Sequence, residues 1–504
     1  MPTLRLLNRL CLFTFSSDGV TKTQLSLAFD KNKLYRNAAM RFRPLTILLL
    51  CICILQDPLF LFAHACKVLQ VKKLGHVQLQ ASFRDPKHQR ASSGKRFRVK
   101  KPTHKVPKNS AHSPKFQRDN LYNNVLFPVS SRVLPDSLRE LYIRSDNNVL
   151  KGEDVLRKLK KKNEQGQVVR IVHMGDSHIQ AGILTQVVRH GLQERYGNAG
   201  RGLVFPYQLA STSSPRDIVS YSSERWVSAR LAKPSTLMDC GVSGFVIGTD
   251  ASEFYLEIGL RTSAERDRGF DRIRLFASNR GEVSVSENKD ASERIVLSDD
   301  ELTGNKPVDL PGLTEKLLIS RRSENTGYFT FYGVSLEKRN TSGIIYDSIG
   351  VNGAKYESFN RADLFWQQIG LLDADCYIVS LGTNDAQNLR LSSKMLSVQV
   401  RKIVQRIKDI SPKAVIVLTT PPPSYYLKMQ YNELTETVAE VIRSIAKEEN
   451  VYCWDLYQVV DGATGAKLWR EYALFSKDLI HFTRAGYELQ GTILLNAIIQ
   501  AIDK

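Results

Sequence analysis

The C-terminal part of the chain alternates short apolar runs with amphipathic stretches. Apolar, β-branched runs predict strands over residues 168–174, 344–349, 376–381, 414–419 and 451–455. Helical periodicity covers residues 181–196, 393–408, 431–450 and 485–502. Apolar strands that alternate with amphipathic helices form parallel sheets covered on both faces, so this pattern predicts an α/β domain.

Residues 208–343 carry a different pattern, in which apolar and polar positions alternate in short runs separated by Gly, Asp or Asn. Seven such runs occur, at residues 244–248, 254–260, 271–277, 281–287, 293–298, 315–321 and 327–338. This spacing predicts an all-β sandwich of jelly-roll type. It would be inserted into the α/β domain, which then consists of residues 119–207 and 344–504.

The N-terminal region contains one apolar run, residues 45–55, preceded by the basic stretch 41–43 and followed by the small-residue site 63–65. These are the three parts of a secretory signal peptide. We therefore predict that residues 1–65 comprise an upstream extension and a signal peptide that starts at Met40. The mature protein would lie in the periplasm or cell envelope. An uncleaved segment that anchors the protein to a membrane is the alternative.

The formal net charge of +20 is concentrated before the globular part. Residues 67–118 hold fifteen Lys and Arg against one acidic residue, and they lack hydrophobic periodicity. A segment of this composition cannot bury enough apolar surface to fold, so residues 66–118 are predicted to be a disordered basic linker. It could contact an anionic envelope or membrane surface. Residues 119–504 are almost neutral, which argues against a specific nucleic-acid partner.

Candidate chemistry begins directly after the first predicted strand, at Gly175-Asp176-Ser177-His178. A strand, a tight turn with a serine and then a helix place the hydroxyl at the carboxyl edge of a sheet, where ligands of open α/β sheets bind. Serine needs a base to become a nucleophile. Near the C-terminus, Asp478-Leu479-Ile480-His481 offers an imidazole and a carboxylate that can reach its Nδ1 atom.

Four blocks in this order resemble those of the SGNH hydrolase family, also called GDSL-like. They are residues 175–178, where His178 replaces the commoner Leu, and residues 350–354, 382–385 and 478–481. The resemblance implies a flavodoxin-like, three-layer α/β fold and a catalytic triad of Ser177, Asp478 and His481. It also implies an oxyanion hole formed by the N–H groups of Ser177 and Gly353 and by the side-chain amide of Asn384.

An SGNH domain interrupted by a β-sandwich resembles the bacterial peptidoglycan O-acetylesterases, whose inserted domain looks like a carbohydrate-binding module. The resemblance implies an exported serine esterase that removes acetyl or other small acyl groups from a cell-envelope carbohydrate, with peptidoglycan as the expected polymer. Tyr425 and Tyr426 follow the proline stop at 421–423 and are predicted to contact the substrate. An acetyltransferase with the same triad and a non-catalytic carbohydrate- or envelope-binding protein remain alternatives.

Neither a cofactor nor a metal is predicted. The sequence has no phosphate-binding glycine loop and no Cys/His spacing typical of a metal site. The globular part has three widely spaced cysteines, Cys240, Cys376 and Cys453, whose spacing predicts no disulfide framework and leaves a single bridge open.

Overall fold

The computed structural model describes residues 10–16, 19–25, 135–151, 157–236, 238–261, 269–278, 281–288, 293–322 and 327–503. The predicted signal peptide and basic linker lie outside these residues. The chain divides into two compact units, Met1–Ser110 and Ala111–Lys504. In the first unit, strands Leu10–Ser16 and Gly19–Leu25 pair in antiparallel fashion. No helix within the described ranges is both long and apolar enough to cross a membrane.

A six-stranded, mostly parallel sheet forms the centre of the second unit. Its spatial order is Gly343–Gly350, Val168–Gly175, Cys376–Ser380, Val415–Thr419, Tyr452–Trp454 and Leu150–Lys151, of which only the last strand runs antiparallel. The five parallel strands therefore lie in the order 2-1-3-4-5, which is the order of flavodoxin-like sheets. This is the α/β architecture that the strand and helix pattern predicts.

Helices cover both faces of this sheet. Alternate strand residues are buried on opposite sides: Cys376 and Ile378 join one core cluster, whereas Tyr377 and Val379 join the other. The helices of this domain are Asp136–Ile143, Arg157–Glu164, Ser177–Gln180, Ile183–Tyr196, Tyr356–Asn360, Asp363–Gly370, Thr383–Ala386, Ser393–Ile410, Leu434–Glu448, Leu456–Val459, Gly462–Glu471 and Arg484–Asp503. A further short helix, Asp299–Leu302, lies in the region between the first two parallel strands.

The region between the first two parallel strands folds into two antiparallel sheets. The six-stranded sheet contains Gly200–Val204, Val227–Arg230, Phe245–Thr249, Phe270–Ser278, Val308–Thr314 and Phe329–Glu337. The five-stranded sheet contains Ile218–Ser222, Glu253–Leu260, Glu282–Ser286, Ile295–Val296 and Lys316–Arg322. Each of the seven runs that the sequence predicts overlaps a strand. The first strand, Gly200–Val204, already joins this region before residue 208.

A buried cluster of charges links the parallel sheet to the six-stranded antiparallel sheet. Arg170, on the second parallel strand in space, forms an ion pair with Glu337 at the end of the last antiparallel strand. Its Nη1 atom also lies 3.3 Å from Asp347 Oδ2 on the neighbouring parallel strand and donates to Ser335 Oγ. All four residues are buried. The cluster fixes the position of one sheet relative to the other, because a buried charge is tolerated only when it is paired.

Candidate active site

The nucleophile turn joins strand Val168–Gly175 to the short helix Ser177–Gln180. Asp176 caps this helix by accepting from the His178 N–H at 3.0 Å. Ser177 is therefore the first helical residue and not the cap, so its hydroxyl stays available for chemistry. The predicted helix 181–196 is interrupted at Gly182, which has a positive φ of 73°, and a second helix begins at Ile183.

Ser177, His481 and Asp478 form one continuous chain of hydrogen bonds. His481 Nε2 lies 2.8 Å from Ser177 Oγ, and His481 Nδ1 lies 2.7 Å from Asp478 Oδ2. An ionised carboxylate can only accept, so Nδ1 carries the proton of the neutral ring and donates it. Nε2 then accepts from the Ser177 hydroxyl. This is the tautomer that a general base requires.

The loop that carries His481 folds around the carboxylate of Asp478. Asp478 Oδ1 accepts from the N–H groups of Ile480 and His481, each at 2.9 Å, and from the Ser476 hydroxyl at 2.8 Å. Leu479 has a φ of 57°. This left-handed residue turns the loop so tightly that the Asp478 carboxylate reaches both the backbone N–H groups of the loop and the imidazole of His481.

The electrostatics of the loop favour an ionised Asp478 and a basic His481. Burial opposes ionisation of Asp478, but the hydrogen bond and charge of His481 outweigh it and hold the pKa of that carboxyl well below its usual range. Burial also disfavours the imidazolium of His481, yet the hydrogen bond and charge of Asp478 outweigh it and raise the pKa of His481. The base is thus stronger than an ordinary histidine.

Gly353 lies in a turn beside the nucleophile helix, in which the Ala354 N–H donates to the Val351 carbonyl at 3.0 Å. Its φ of 82° falls in the left-handed region, which a type II turn of this kind requires at its third residue. A Cβ at this position would contact only the Ala232 side chain, at 3.6 Å. Glycine is therefore needed for its backbone conformation and not because a side chain would lack space.

Asn384 occupies the first turn of helix Thr383–Ala386, which follows the neighbouring parallel strand. Its side-chain nitrogen donates to the Ala354 carbonyl at 3.0 Å and lies 3.4 Å from Asp176 Oδ2. These contacts tie the amide to both the Gly353 turn and the nucleophile turn. Burial raises the pKa of Asp176 to about 7. The structure thus brings the predicted oxyanion residues together around Ser177.

Gln180 is a positioning residue that the sequence analysis missed. Its side-chain oxygen accepts from the Asn352 N–H at 2.7 Å, and its nitrogen donates to Thr212 Oγ1 and the Ser213 carbonyl. The strand that leads into the Gly353 turn also approaches closely, because a Cβ on Gly350 would lie only 1.9 Å from the Gln180 N atom. The sequence signal that could have identified Gln180 is its position, one helical turn after Ser177.

His178, which stands out in the sequence only because it replaces the commoner Leu, contacts the catalytic histidine. Its ring centroid lies 5.5 Å from that of His481, and its Nδ1 atom lies 3.0 Å from the Tyr487 hydroxyl. Burial lowers the pKa of His178 to about 3. The ring therefore stays neutral and adds no second positive charge beside the base.

The two predicted substrate-contact tyrosines differ in exposure. The Tyr425 ring is buried and packs edge-on against Phe475 and Tyr431. Its place is in the core, which corrects the prediction for that residue, because a buried ring offers no face to a ligand. Tyr426 is half-buried and remains a candidate for substrate contact. No group of three His, Cys, Asp or Glu residues suited to a metal occurs among the described residues.

The family model of GDSL-like lipases and acylhydrolases matches residues 313–489, which include Gly353, Asn384, Asp478 and His481. No curated protein sequence matches the chain. A solved structure described as a peptidoglycan O-acetylesterase in action superposes with a TM-score of 0.58 at 21% identity, covering 70% of this chain and 96% of that one.

Smaller matches include an acetylxylan esterase from Geobacillus stearothermophilus. It has a TM-score of 0.26 and 19% identity, and covers 32% of this chain and 74% of that one. A lipase/acylhydrolase from Enterococcus faecalis has a TM-score of 0.24 and 20% identity, and covers 31% of this chain and 75% of that one. Residues 313–489 carry the match to the GDSL-like lipase/acylhydrolase family, and together with the hydrogen-bonded Ser177, His481 and Asp478 they identify the chain as a serine hydrolase of ester bonds.

Proposed function

We propose that this chain is an exported esterase that removes acetyl groups from a cell-envelope carbohydrate, with peptidoglycan as the polymer. The observation that carries the proposal is the hydrogen-bonded chain from Ser177 through His481 to Asp478 at the carboxyl edge of the parallel sheet. Ser177 is half-buried, so a small ester can reach it from solvent.

The proposed reaction follows from this geometry. His481 Nε2 takes the proton of Ser177 as the oxygen attacks the acetyl carbonyl, and Asp478 stabilises the imidazolium that forms. The N–H groups of Ser177 and Gly353 and the amide of Asn384 stabilise the tetrahedral oxyanion. As the bond between the acetyl carbon and the sugar oxygen breaks, His481 protonates that oxygen, so the sugar leaves with a hydroxyl group and the acetyl group stays on Ser177. In the second half, His481 activates a water that releases acetate from Ser177.

Two observations support a carbohydrate substrate. The similar structure with a TM-score of 0.58 is described as a peptidoglycan O-acetylesterase. The antiparallel region also presents Tyr221, which is 56% exposed and lies with its ring centroid 5.9 Å from that of Tyr255. Exposed aromatic faces suit stacking on sugar rings.

The test is release of acetate from O-acetylated peptidoglycan by the purified full chain, with acetylated xylan as a second polymer. We expect faster release from peptidoglycan and none from the Ser177→Ala variant. Wild-type release by Ser177→Ala would disprove the serine mechanism. Faster release from xylan would instead disprove the proposed polymer and leave the mechanism intact. Appearance of acetyl groups on an added sugar acceptor would identify a transferase.

Export is a separate part of the proposal. It rests on the basic stretch 41–43, the apolar run 45–55 and the small-residue site 63–65. N-terminal sequencing of the protein from its native cells should find a mature chain that begins at or near Cys66. Recovery from the cytoplasm with residues 1–39 still attached would disprove export.

A further inference from the structure

Three loops meet beside the triad at the carboxyl edge of the parallel sheet. We call residues 387–392, 425–431 and 476–481 the rim loops. The Tyr425 N–H donates to the Leu479 carbonyl at 3.0 Å, which joins the second loop to the third. The Gln387 side-chain amide donates to Ser424 Oγ at 3.2 Å and approaches the Tyr425 carbonyl at 3.4 Å. The first loop is therefore joined to the second, and the second is joined to the third, which contains His481.

The rim loops expose apolar side chains to an unusual degree. Met429 is 79% exposed, Leu427 is 69% exposed and Leu389 is 67% exposed. These are the three most exposed large apolar side chains of all the described residues. Leu479 and Ile480 are half-buried in the third loop. Several exposed apolar groups on connected loops mark an interaction surface, whereas single ones do not.

Basic side chains are interleaved with these apolar groups. Arg390 follows Leu389, Lys428 lies between Leu427 and Met429, and all of them are exposed. Lys477 is exposed in the third loop. The only acidic residue in the rim loops is Asp478, which is already bound to His481. The surface therefore combines apolar contact area with net positive charge.

Within the second rim loop, strands Tyr425–Tyr426 and Gln430–Tyr431 pair in antiparallel fashion and form a hairpin. The tip of this hairpin holds two of these side chains in an unfavourable backbone conformation. Leu427 has a φ of 49° and Lys428 a φ of 64°. Two consecutive left-handed residues in a tight hairpin turn are normally Gly, Asn or Asp. For a leucine and a lysine this conformation is energetically unfavourable, and both side chains are exposed and so gain little from packing against the protein. This combination points to a contact made outside the chain.

We propose that the rim loops dock on an anionic lipid bilayer surface. Leu389, Leu427 and Met429 insert among the lipid headgroups, and the three basic side chains pair with lipid phosphates. A bilayer fits better than a soluble polyanion, because a polyanion offers nothing to the exposed apolar groups. Docking would hold the triad close to the membrane surface, whichever ester the enzyme cleaves, and so goes beyond the proposed substrate.

The first experiment tests insertion of the tip itself. Leu427→Trp and, as a matched control at an exposed strand position, Val296→Trp are prepared in the full chain. Each is mixed with vesicles of phosphatidylglycerol and phosphatidylcholine whose acyl chains are brominated. We expect bromine to quench the added tryptophan at 427 and not at 296, while both variants hydrolyse a soluble acetyl ester normally. Equal quenching at the two positions, or none at 427, would overturn the proposal.

The second experiment separates the rim loops from the basic linker, which also attracts anionic vesicles. In the full chain, the double change Leu427→Ser with Met429→Ser should weaken vesicle sedimentation at least tenfold, whereas Val296→Ser should leave it unchanged. Lys428→Gln and Arg390→Gln should each weaken it about fivefold. If the serine pair leaves sedimentation unchanged and instead lowers the preference for butyryl over acetyl esters, the rim binds acyl chains and the proposal is wrong.

Discussion

The protonation of His481 decides whether Ser177 is activated. Because Asp478 raises the pKa of His481 above its ordinary value of 6.5, activity should be lost on acidification at a higher pH than an unpaired histidine would give. Asp478→Ala should move the acid midpoint of kcat/KM downward as well as lower kcat. The pH profiles of both proteins on a soluble acetyl ester measure this. An unchanged midpoint in the variant would contradict the assigned pairing.

The side-chain amide of Asn384 has two hydrogens and one well-placed protein partner. One hydrogen donates to the Ala354 carbonyl at 3.0 Å, and the contact with Asp176 at 3.4 Å is long. The second hydrogen of the Asn384 amide is therefore available to donate to an oxyanion. Asn384→Ala should lower kcat by roughly 10²–10³ with little change in KM, since the oxyanion forms mainly in the transition state. An effect confined to KM would assign Asn384 to substrate binding instead.

At the scale of the elements, the buried ions between the sheets make a testable contribution to stability. Arg170→Leu leaves Glu337 and Asp347 buried without their hydrogen-bonded cation and should lower the free energy of unfolding by about 3–5 kcal/mol. The exposed pair Arg272–Asp309 is the matched control, so Asp309→Asn should cost no more than about 1 kcal/mol. Urea unfolding measures both, and equal losses would contradict this role.

The sequence predicts the elements that carry strong periodicity. The parallel strands and the seven antiparallel runs form where their apolar pattern places them. Helices Tyr356–Asn360 and Asp363–Gly370 were missed, since short helices show too little periodicity to identify. Helix 431–450 begins only at Leu434, because residues 430–431 pair with Tyr425–Tyr426 in a hairpin.

The candidate site was predictable only where its residues stand in compact blocks. Ser177, Asn384 and the 478–481 loop each follow a strand or precede a helix, and that local context is visible in the sequence. The contact between His178 and Tyr487 joins residues 309 positions apart. Side-chain packing across such a separation leaves no periodic signal. The burial of Tyr425 was unpredictable for the same reason. Its hairpin is too short to show alternation of apolar and polar residues, and its partner Phe475 is distant in sequence.

At the scale of the whole molecule, charge and catalysis are carried by different parts of the chain. Residues 67–118 hold fifteen Lys and Arg against one acidic residue, and the triad lies entirely within residues 177–481. Attraction of the basic linker to an anionic surface is screened by salt, whereas chemistry at the triad on a neutral ester is not. Linker and active site should therefore respond differently to deletion and to ionic strength.

Deletion of residues 67–118 should leave kcat and KM for a small soluble acetyl ester unchanged. The same deletion should weaken adsorption to a polyanionic envelope preparation, and the difference from the intact chain should shrink as salt is raised, because each lost contact is an exposed charge pair. Paired assays of turnover and adsorption at low and high salt measure both effects. Adsorption of the intact chain that does not depend on salt would contradict an electrostatic role for the linker. A large loss of turnover on the small ester would instead show that the linker is part of the catalytic fold.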